Sequence, residues 1–208
     1  MTAAIEKVVT SGTFSLDGGT WDVDNNVWLI GDQDEVIVLD PAHDVPAIKA
    51  AVNGRNVKAI LLTHGHDDHV RAAREAAEAL DAPVLLPEAD LMLWDAVHDD
   101  APDGFIAPGA TFEVAGVTLQ TLATPGHTPG STCFWVPELE VVFSGDTLFN
   151  GGPGATGRSY SSFDTIIESI EKKLLGLPED TRVLPGHGDE TTIELEAPQL
   201  DAWIQRGH

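Results

Sequence analysis

Residues 63–70 hold three imidazoles and two carboxylates in eight positions: Thr63-His64-Gly65-His66-Asp67-Asp68-His69-Val70. The residues before them, Val-Lys-Ala-Ile-Leu-Leu, form an apolar run typical of a strand. Neutral imidazole and carboxylate are common ligands of zinc, manganese and iron. Because residues two apart at the end of a strand face the same way, His64 and His66 can hold one ion together. Asp68 and His69 then fall at the start of the next element and can serve a neighbouring ion.

Three further candidates lie where an apolar strand runs into a turn that contains glycine. They are His127 in Thr124-Pro125-Gly126-His127-Thr128-Pro129-Gly130-Ser131, Asp146 in Phe143-Ser144-Gly145-Asp146-Thr147, and His187 in Leu184-Pro185-Gly186-His187-Gly188-Asp189. Backbone constraint in such turns can aim a side chain at a fixed point. A single histidine there is more often a surface or hydrogen-bonded residue, but repetition of the pattern favours metal ligation. His43, His98 and His208 receive no role.

Together these residues resemble the metallo-β-lactamase fold superfamily, and within it the small single-domain hydrolases similar to glyoxalase II (hydroxyacylglutathione hydrolase). The matching positions follow the family's order: Asp40, His64, His66, Asp68, His69, His127, Asp146 and His187. The resemblance implies an α/β (α+β) fold, a four-layer αββα sandwich of two mixed β-sheets with the metal site at one edge. Strand clusters followed by helices occur once in each half, which agrees with two packed sheets. We expect residues 1–208 to form one such domain.

The resemblance also implies which side chains would hold two divalent metal ions. The expected ligands are, for the first ion, His64, His66 and His127; for the second ion, Asp68, His69 and His187; and, as a bridge between the ions, Asp146. Zinc is the expected metal, with iron and manganese as alternatives. Asp40 matches a position that orients a ligand histidine through a hydrogen bond, and a purely structural role for it is equally open.

The expected reaction is hydrolysis without a side-chain nucleophile. Two ions about 3.5–4 Å apart can hold a bridging hydroxide that attacks a carbonyl polarised by one of them. Asp146 and Asp68 are therefore the catalytic candidates, and Asp68 is also a candidate for accepting or relaying a proton. A thiolate is a good leaving group because the pKa of its conjugate thiol is about 8.5. The favoured substrate is therefore a thioester of a low-molecular-weight thiol.

Two alternative activities use the same fold. A lactonase or another ester hydrolase would share the two-metal site. A mononuclear iron persulfide dioxygenase would need only the equivalents of His64, His127 and Asp146, and the complete second set of ligands argues against it. The β-lactamases with a cysteine ligand would carry it where Asp146 stands, whereas Cys133 lies in an apolar strand and is predicted to be a core residue.

The identity of the carrier thiol is the weakest part of the substrate prediction. Full-length glyoxalase II enzymes carry a C-terminal helical domain that helps to bind glutathione. The sequence ends at His208, shortly after His187, so we expect that domain to be absent. A thiol other than glutathione, such as mycothiol or bacillithiol, is then an alternative carrier.

Candidate substrate contacts lie outside the ligand motifs. Gly157-Arg158-Ser159-Tyr160 resembles a Gly-Arg element found at this place in small glyoxalase II-like proteins. Arg158 could form a bidentate contact with a substrate carboxylate, and Tyr160 could add a hydroxyl; pairing of Arg158 with a surface acid is the alternative. Trp21 is either a buried staple or a flap residue over the site. The large residues that could wall the cleft are instead predicted to lie in the core: Met92, Trp94 and Phe105.

Composition narrows the range of partners. The chain has 208 residues and a formal net charge of -23, which repels phosphate backbones and excludes nucleic acid as an expected partner. With one cysteine, no intramolecular disulfide can form. The N-terminal residues do not resemble a signal peptide, and no apolar run approaches the roughly 20 residues of a membrane helix. We expect a cytoplasmic protein with no membrane partner; its oligomeric state is open, with a homodimer as one option.

Apolar periodicity and turn residues predict the secondary structure. Strands are predicted at 5–9, 13–16, 27–30, 36–39, 57–62, 83–86, 111–114, 117–122, 132–136, 141–144 and 182–184. Helices are predicted at 46–52, 70–80, 88–97, 163–175 and, partly frayed, 190–206. The segment 98–110 is predicted to be a loop.

Overall fold

The computed structural model describes residues 3–207, so Met1, Thr2 and His208 lie outside the described residues. Six strands form the N-terminal sheet: β1 (Ala4–Leu16), β2 (Gly19–Gly31), β3 (Glu35–Leu39), β4 (Asn56–Leu61), β5 (Val84–Pro87) and β6 (Gly104–Ile106). They lie in chain order. The pairs β1–β2 and β2–β3 are antiparallel, whereas β3 to β6 run parallel, which makes the sheet mixed.

Six strands of the C-terminal half form a second mixed sheet in the order β14-β13-β10-β9-β8-β7. They are β7 (Thr111–Val114), β8 (Val117–Ala123), β9 (Thr132–Val136), β10 (Val141–Gly145), β13 (Arg182–Pro185) and β14 (Thr191–Thr192). Only β10 and β13 pair in parallel among these strands. A separate short hairpin consists of β11 (Leu148–Phe149) and β12 (Gly152–Pro153).

Helices cover the outer face of each sheet. They are α1 (Val45–Val52), α2 (Asp67–Val70), α3 (Ala73–Leu80), α4 (Leu91–Trp94), α5 (Phe163–Ser169), α6 (Ile193–Glu196) and α7 (Leu200–Arg206). None of the helices within residues 3–207 is both long and apolar enough to cross a membrane.

The alternation of apolar residues in β3 shows how the layers are built. Val36 and Val38 point outward and share a cluster with Ile48 of α1, whereas Ile37 and Leu39 point inward and share a cluster with residues of the second sheet. On the far face of the second sheet, a third cluster joins its strands to α5 and α7. Helices, sheet, sheet and helices therefore form the predicted αββα sandwich, and the fold class is confirmed.

The N-terminal meander is the largest error of the strand prediction. The strands predicted at 5–9 and 13–16 are one strand, β1, and the strand predicted at 27–30 is the end of β2, which begins at Gly19. Asp17 and Gly18 both have positive φ, 51° and 78°, as the two central residues of a tight hairpin turn require. The turn therefore occupies only the first two residues of the Asp-Gly-Gly stretch, and the rest extends the hairpin.

Smaller differences concern short elements. The predicted loop 98–110 contains the edge strand β6. The predicted helix 70–80 is preceded by α2 and interrupted after Val70, and the predicted helix 88–97 reduces to a 3-10 turn followed by one turn of α4. Helix α5 continues into a π-helical turn over 170–174. Cys133 is buried in the third cluster, as predicted, and burial raises the pKa of its thiol to about 11.

The topology brings the carboxyl ends of five strands to one edge of the sandwich. In the first sheet these are β3 and β4, which are parallel; in the second they are β8, β10 and β13, which run in one direction. Backbone hydrogen bonds close this edge, since Thr132 N donates to Thr63 O at 2.8 Å and Asn26 N donates to Gly186 O at 2.7 Å. Every ligand candidate follows one of these strands.

Candidate metal centre

The loops after the five strands carry the predicted ligands to one place. Asp40 follows β3, the motif of residues 63–70 follows β4, and His127 lies in the loop after β8. Asp146 is the residue after β10, and His187 lies two residues after β13. The groups whose donor atoms lie within 4.8 Å of one another are His64 with His66 and His127; His64 with His69 and Asp146; and Asp68 with His69 and His187. The structure thus brings together all seven predicted ligands.

The first trio consists of His64, His66 and His127, all buried. The Nδ1 atom of His66 lies 3.1 Å from Nε2 of His64 and 2.9 Å from Nε2 of His127. Three ring nitrogens therefore converge on one point.

Hydrogen bonds on the far side of two rings assign their tautomers. Nδ1 of His127 lies 2.9 Å from the carbonyl oxygen of Ala155, so it carries the proton and Nε2 keeps its lone pair. The Thr63 hydroxyl donates to Asp40, so at 3.0 Å it accepts from Nδ1 of His64, whose Nε2 is likewise free to bind. The protein fixes both rings in the orientation that a metal ion needs.

The second trio consists of Asp68, His69 and His187, with Asp146 beside it. Nε2 of His187 lies 3.3 Å from both Oδ2 of Asp68 and Nε2 of His69. Asp146 Oδ2 lies 3.4 Å from Nε2 of His187 and 3.5 Å from Nε2 of His127 in the first trio. The carboxylate of Asp146 therefore lies between the two trios.

Asp40 contacts the second trio from behind. Its Oδ1 accepts the backbone N–H of Thr63 at 2.7 Å, and its Oδ2 lies 3.1 Å from Nδ1 of His69. That contact leaves Nε2 of His69 facing His187 and Asp146. Asp40 therefore holds a ring of the centre, as the orienting interpretation requires, while it also ties down the start of the His64 loop.

The two trios differ in their electrostatics. Burial lowers the pKa of His64 well below its usual value and that of His66 to about 3, the latter helped by the adjacent ring of His127. Burial also acts on His69 and His187, but the carboxylates of Asp68 and Asp146 outweigh it and raise their pKa values to about 9 and about 11. His64 and His66 of the first trio thus favour neutral rings, whereas the second trio pairs positive rings with carboxylates.

The carboxylates show the same pairing from the other side. Burial acts to raise the pKa of Asp68, but the neighbouring rings, His69 first, outweigh it and lower that pKa to about 2. For Asp146 the same competition, with His187 as the largest opposing influence, leaves the pKa well below its ordinary value. Both groups are anionic at neutral pH, as metal ligands must be.

These donors fit divalent metal ions. A tetrahedral ion with bonds of about 2.0–2.1 Å separates its ligand atoms by about 3.3 Å. The neighbouring donor atoms of the centre lie 2.9 to 3.5 Å apart. In addition, Oδ1 of Asp146 is buried and accepts no hydrogen bond within the described residues. A buried carboxylate oxygen that accepts no hydrogen bond is costly unless a cation satisfies it.

Comparison with known proteins agrees with the fold. The family model described as the metallo-beta-lactamase superfamily matches residues 20–187. The chain belongs to this superfamily. Its members bind divalent metals, and many are metal-dependent hydrolases.

Three relatives are similar over most of their length. A probable metallo-hydrolase, YqgX of Bacillus subtilis, is 37% identical over 84% of this chain and 90% of its own. The hydroxyacylglutathione hydrolase GloC of Haemophilus influenzae is 33% identical over 79% of this chain and 85% of its own. A crystal structure of TTHA1623 in a di-iron-bound form shares 35% identity over 84% of this chain and 93% of its own, with a TM-score of 0.75.

Beside the centre, this superfamily member has a cavity of about 240 Å³. Ligand candidates of both trios form one wall, including His66, Asp68 and Asp146. The β1–β2 hairpin and the loop after β12 form the other, with Phe14 and Arg158. One wall of the cavity, formed by the ligand candidates, is therefore polar, and the opposite wall is mainly apolar.

The hairpin tip places Trp21 over this cavity. Trp21 is 41% exposed, so the buried-staple interpretation is wrong. Its ring stacks on Phe14 at a centroid distance of 5.8 Å, and the guanidinium carbon of Arg158 lies 3.8 Å from its ring centroid. Asp17 at the tip accepts hydrogen bonds from the backbone N–H and the hydroxyl of Ser159, at 3.0 and 2.6 Å. The hairpin is thereby fastened to the Arg158 loop.

Other predicted contacts fall elsewhere. Tyr160 is 59% exposed and is not among the residues that line the cavity. Met92 and Phe105, predicted as core, are both about half exposed, because each belongs to a short element at the surface. Trp94 is fully buried, as predicted.

Three contributors to the centre escaped the sequence prediction. The side-chain amide of buried Asn25 donates to Oδ2 of Asp68 at 3.0 Å, and Nε2 of His43 lies 2.8 Å from Oδ1 of Asn25. Asp90, also buried, contacts the loops of the first trio. Two adjacent amides, Asn25 and Asn26, directly before the apolar end of β2 were the available signal for Asn25. Asp90 follows no motif, so only its contacts reveal it.

Proposed function

We propose that this chain hydrolyses a thioester of a low-molecular-weight thiol at a centre of two divalent ions, with zinc as the first candidate. The carrying observation is the cavity, in which donor atoms of both trios face a wall formed by Trp21, Phe14 and Arg158. The name of the relative GloC supports the substrate class, and the di-iron form of TTHA1623 supports a centre for two ions.

The side chains would divide the work as follows. Two bound divalent ions would lower the pKa of a shared water toward about 7 and polarise the substrate carbonyl. Asp146 would be the common ligand, since it lies within 3.5 Å of a ring of each trio. Asn25 donates to one oxygen of Asp68 and so orients the carboxylate as a ligand or proton acceptor, while the rings of His69 and His187 keep it anionic.

Arg158 would hold the end of the substrate remote from the reacting carbonyl. It is the one Lys or Arg among the described residues that line the cavity. Its guanidinium carbon lies 3.8 Å from the ring centroid of Trp21 and 5.4 Å from that of Phe14, and the side chain makes no ion pair with an acid of residues 3–207. Stacking leaves the edge N–H donors available, which suits a carboxylate on the acyl group or on the carrier thiol.

The reaction class is tested by metal content, oxygen uptake and a substrate panel. We expect about two ions per chain, no oxygen consumption with persulfides, and turnover of S-formyl or S-lactoyl adducts of several thiols. One iron per chain with oxygen uptake would establish the dioxygenase instead. Turnover of lactones without any thioester would show that the substrate class is wrong.

The role of Arg158 is tested by Arg158→Ala beside Arg158→Lys. Loss of a charge-assisted contact costs about 1.5–3 kcal/mol, so we expect KM to rise roughly 10- to 100-fold in Arg158→Ala while kcat changes little. Arg158→Lys keeps the charge and loses the bidentate geometry, so its KM lies between the two. Arg182→Ala, which removes a surface arginine paired with Glu190, is the control and leaves KM unchanged. Equal KM values in all forms contradict the contact.

A further inference from the structure

Asp90 is a buried carboxylate that lies between the two loops of the first trio. The end of β5 and the 3-10 turn after it carry Asp90 to this point. Its Oδ2 accepts the backbone N–H of Gly65 at 2.8 Å, from the residue between His64 and His66. The same oxygen accepts the Thr128 hydroxyl at 2.7 Å, from the residue after His127.

The other oxygen completes the link. Oδ1 of Asp90 accepts the backbone N–H of Gly130 at 2.6 Å. Three donors from two loops therefore use both oxygens of one side chain that has no accessible surface. A carboxylate can satisfy this arrangement because it only accepts, whereas any neutral isostere also presents donors.

The glycines at the contact points are an independent sign that the loops are built around Asp90. A Cβ on Gly65 would lie 2.9 Å from Cβ of Asp90, and a Cβ on Gly130 would lie 2.6 Å from its Cγ. Both distances are shorter than a carbon–carbon contact allows, so a side chain at either position would push Asp90 away. The backbone approaches the carboxylate closely because these two residues have no side chain.

We propose that Asp90 is the positioning residue of the first metal site, where it holds the His64–His66 loop and the His127 loop at the separation that one ion requires. The inference rests on the proposed metal centre. It assigns to Asp90 the part that Asp40 plays for the second trio through His69. Neither carboxylate faces the convergence point of the rings, and each acts through the residues that do.

The test is a site-resolved metal titration of Asp90→Asn. A carboxamide has one oxygen, so at least one of the three donors faces an NH₂ group and the link between the loops weakens without a change in volume. Loss of such outer partners lowers metal affinity about 10- to 100-fold. We expect a loss of that size at the first trio, and a smaller one in Thr128→Val, which removes one of the three hydrogen bonds.

Zinc competition against a chromophoric chelator gives the two affinities, and ¹⁵N signals of the histidine rings assign each to a trio. Asp40→Asn should weaken the second site, through His69, more than the first, which gives the opposite pattern to Asp90→Asn. Asp103→Asn, at an aspartate that accepts the N–H of Val84 far from the ligands, is the control for general destabilisation.

Because ion affinity is the readout, the result is independent of thioester turnover. A wild-type first trio that binds no ion would overturn the metal centre and this inference with it. With the wild-type centre occupied, equal first-site affinity in wild type and Asp90→Asn would overturn the positioning role alone. An equal loss at both sites in Asp90→Asn would also overturn it, since that is the pattern of a merely structural residue.

Discussion

The two trios of the centre use similar rings in opposite electrostatic settings. His64 and His66 are buried beside other imidazoles, and burial keeps their rings neutral. His69 and His187 face carboxylates, which keep the rings protonated at neutral pH in the absence of metal. In the second trio, the protons on His69 and His187 offset the negative charge of Asp68 and Asp146, which a bound metal ion would otherwise offset.

The two trios are therefore preorganised for a metal ion in different ways. The first is preorganised by hydrogen bonds to the outer nitrogens of His64 and His127 and to the loop backbone, so Nε2 of these two rings carries a free lone pair. The second is preorganised by charge, since its carboxylates hold their partners in place before the metal arrives. Asp146 lies beside rings of both trios, so its substitution should affect both metal sites.

Asp146→Ala should have the largest effect. Removal of the shared carboxylate leaves both trios incomplete, so we expect turnover to fall by more than the roughly 100-fold that loss of an outer partner causes. Bound metal should fall from about two ions per chain to one or fewer. Steady-state kinetics and elemental analysis measure both quantities.

The control for this variant is Asp189→Ala, which removes an exposed acid two residues after His187. It should keep both activity and metal content. If Asp146→Ala retained two ions, Asp146 would not be the bridge and the trios would be independent sites.

Asn25→Ala should separate the trios. Asn25 donates to Asp68, and among the described residues its side chain makes no hydrogen bond to the first trio, so its loss should weaken only the second site, by about tenfold. The ring signals of His64, His66 and His127 should respond to metal as in the wild type. Asn150→Ala is the matched control, because Asn150 donates to a surface carbonyl at Glu190. Equal weakening of both sites would mean that the trios are coupled through Asp68.

The smallest expected effect is a difference between the two trios in the number of protons released when a metal ion binds. At pH 7 the metal-free His69 and His187 both carry a proton that must leave, so filling the second trio should release about two protons. As the pH rises through about 9, the pKa of His69, the release should fall toward one. His64 and His66 should release none, because their pKa values lie far below 7.

Calorimetric titrations in buffers of different ionisation enthalpy measure this release. The Asp90→Asn and Asn25→Ala variants assign the heat to each trio. Proton release that is equal for both ions would contradict the electrostatic difference between them.

Much of the fold and of the candidate metal centre could be predicted from local sequence. The motif of residues 63–70 and the Gly-containing turns at His127, Asp146 and His187 indicated a metal centre, because donor type and turn chemistry are local properties. The inward and outward alternation in β3 likewise follows from the two-residue period of a strand. The single domain over 1–208, the homodimer option and the absence of nucleic-acid and membrane partners stay predictions.

The sequence predicted the candidate donors, the strands that precede them and the αββα class, because donor type, strand periodicity and turn chemistry are local. Local sequence did not predict how the donors are held, because Asp90, Asn25 and Asp40 lie 25, 43 and 23 positions from their partners Gly65, Asp68 and Thr63. Such contacts depend on how two sheets and their loops meet, which no local period encodes. The same holds for the cavity, where Trp21 and Arg158 come together from opposite halves of the chain.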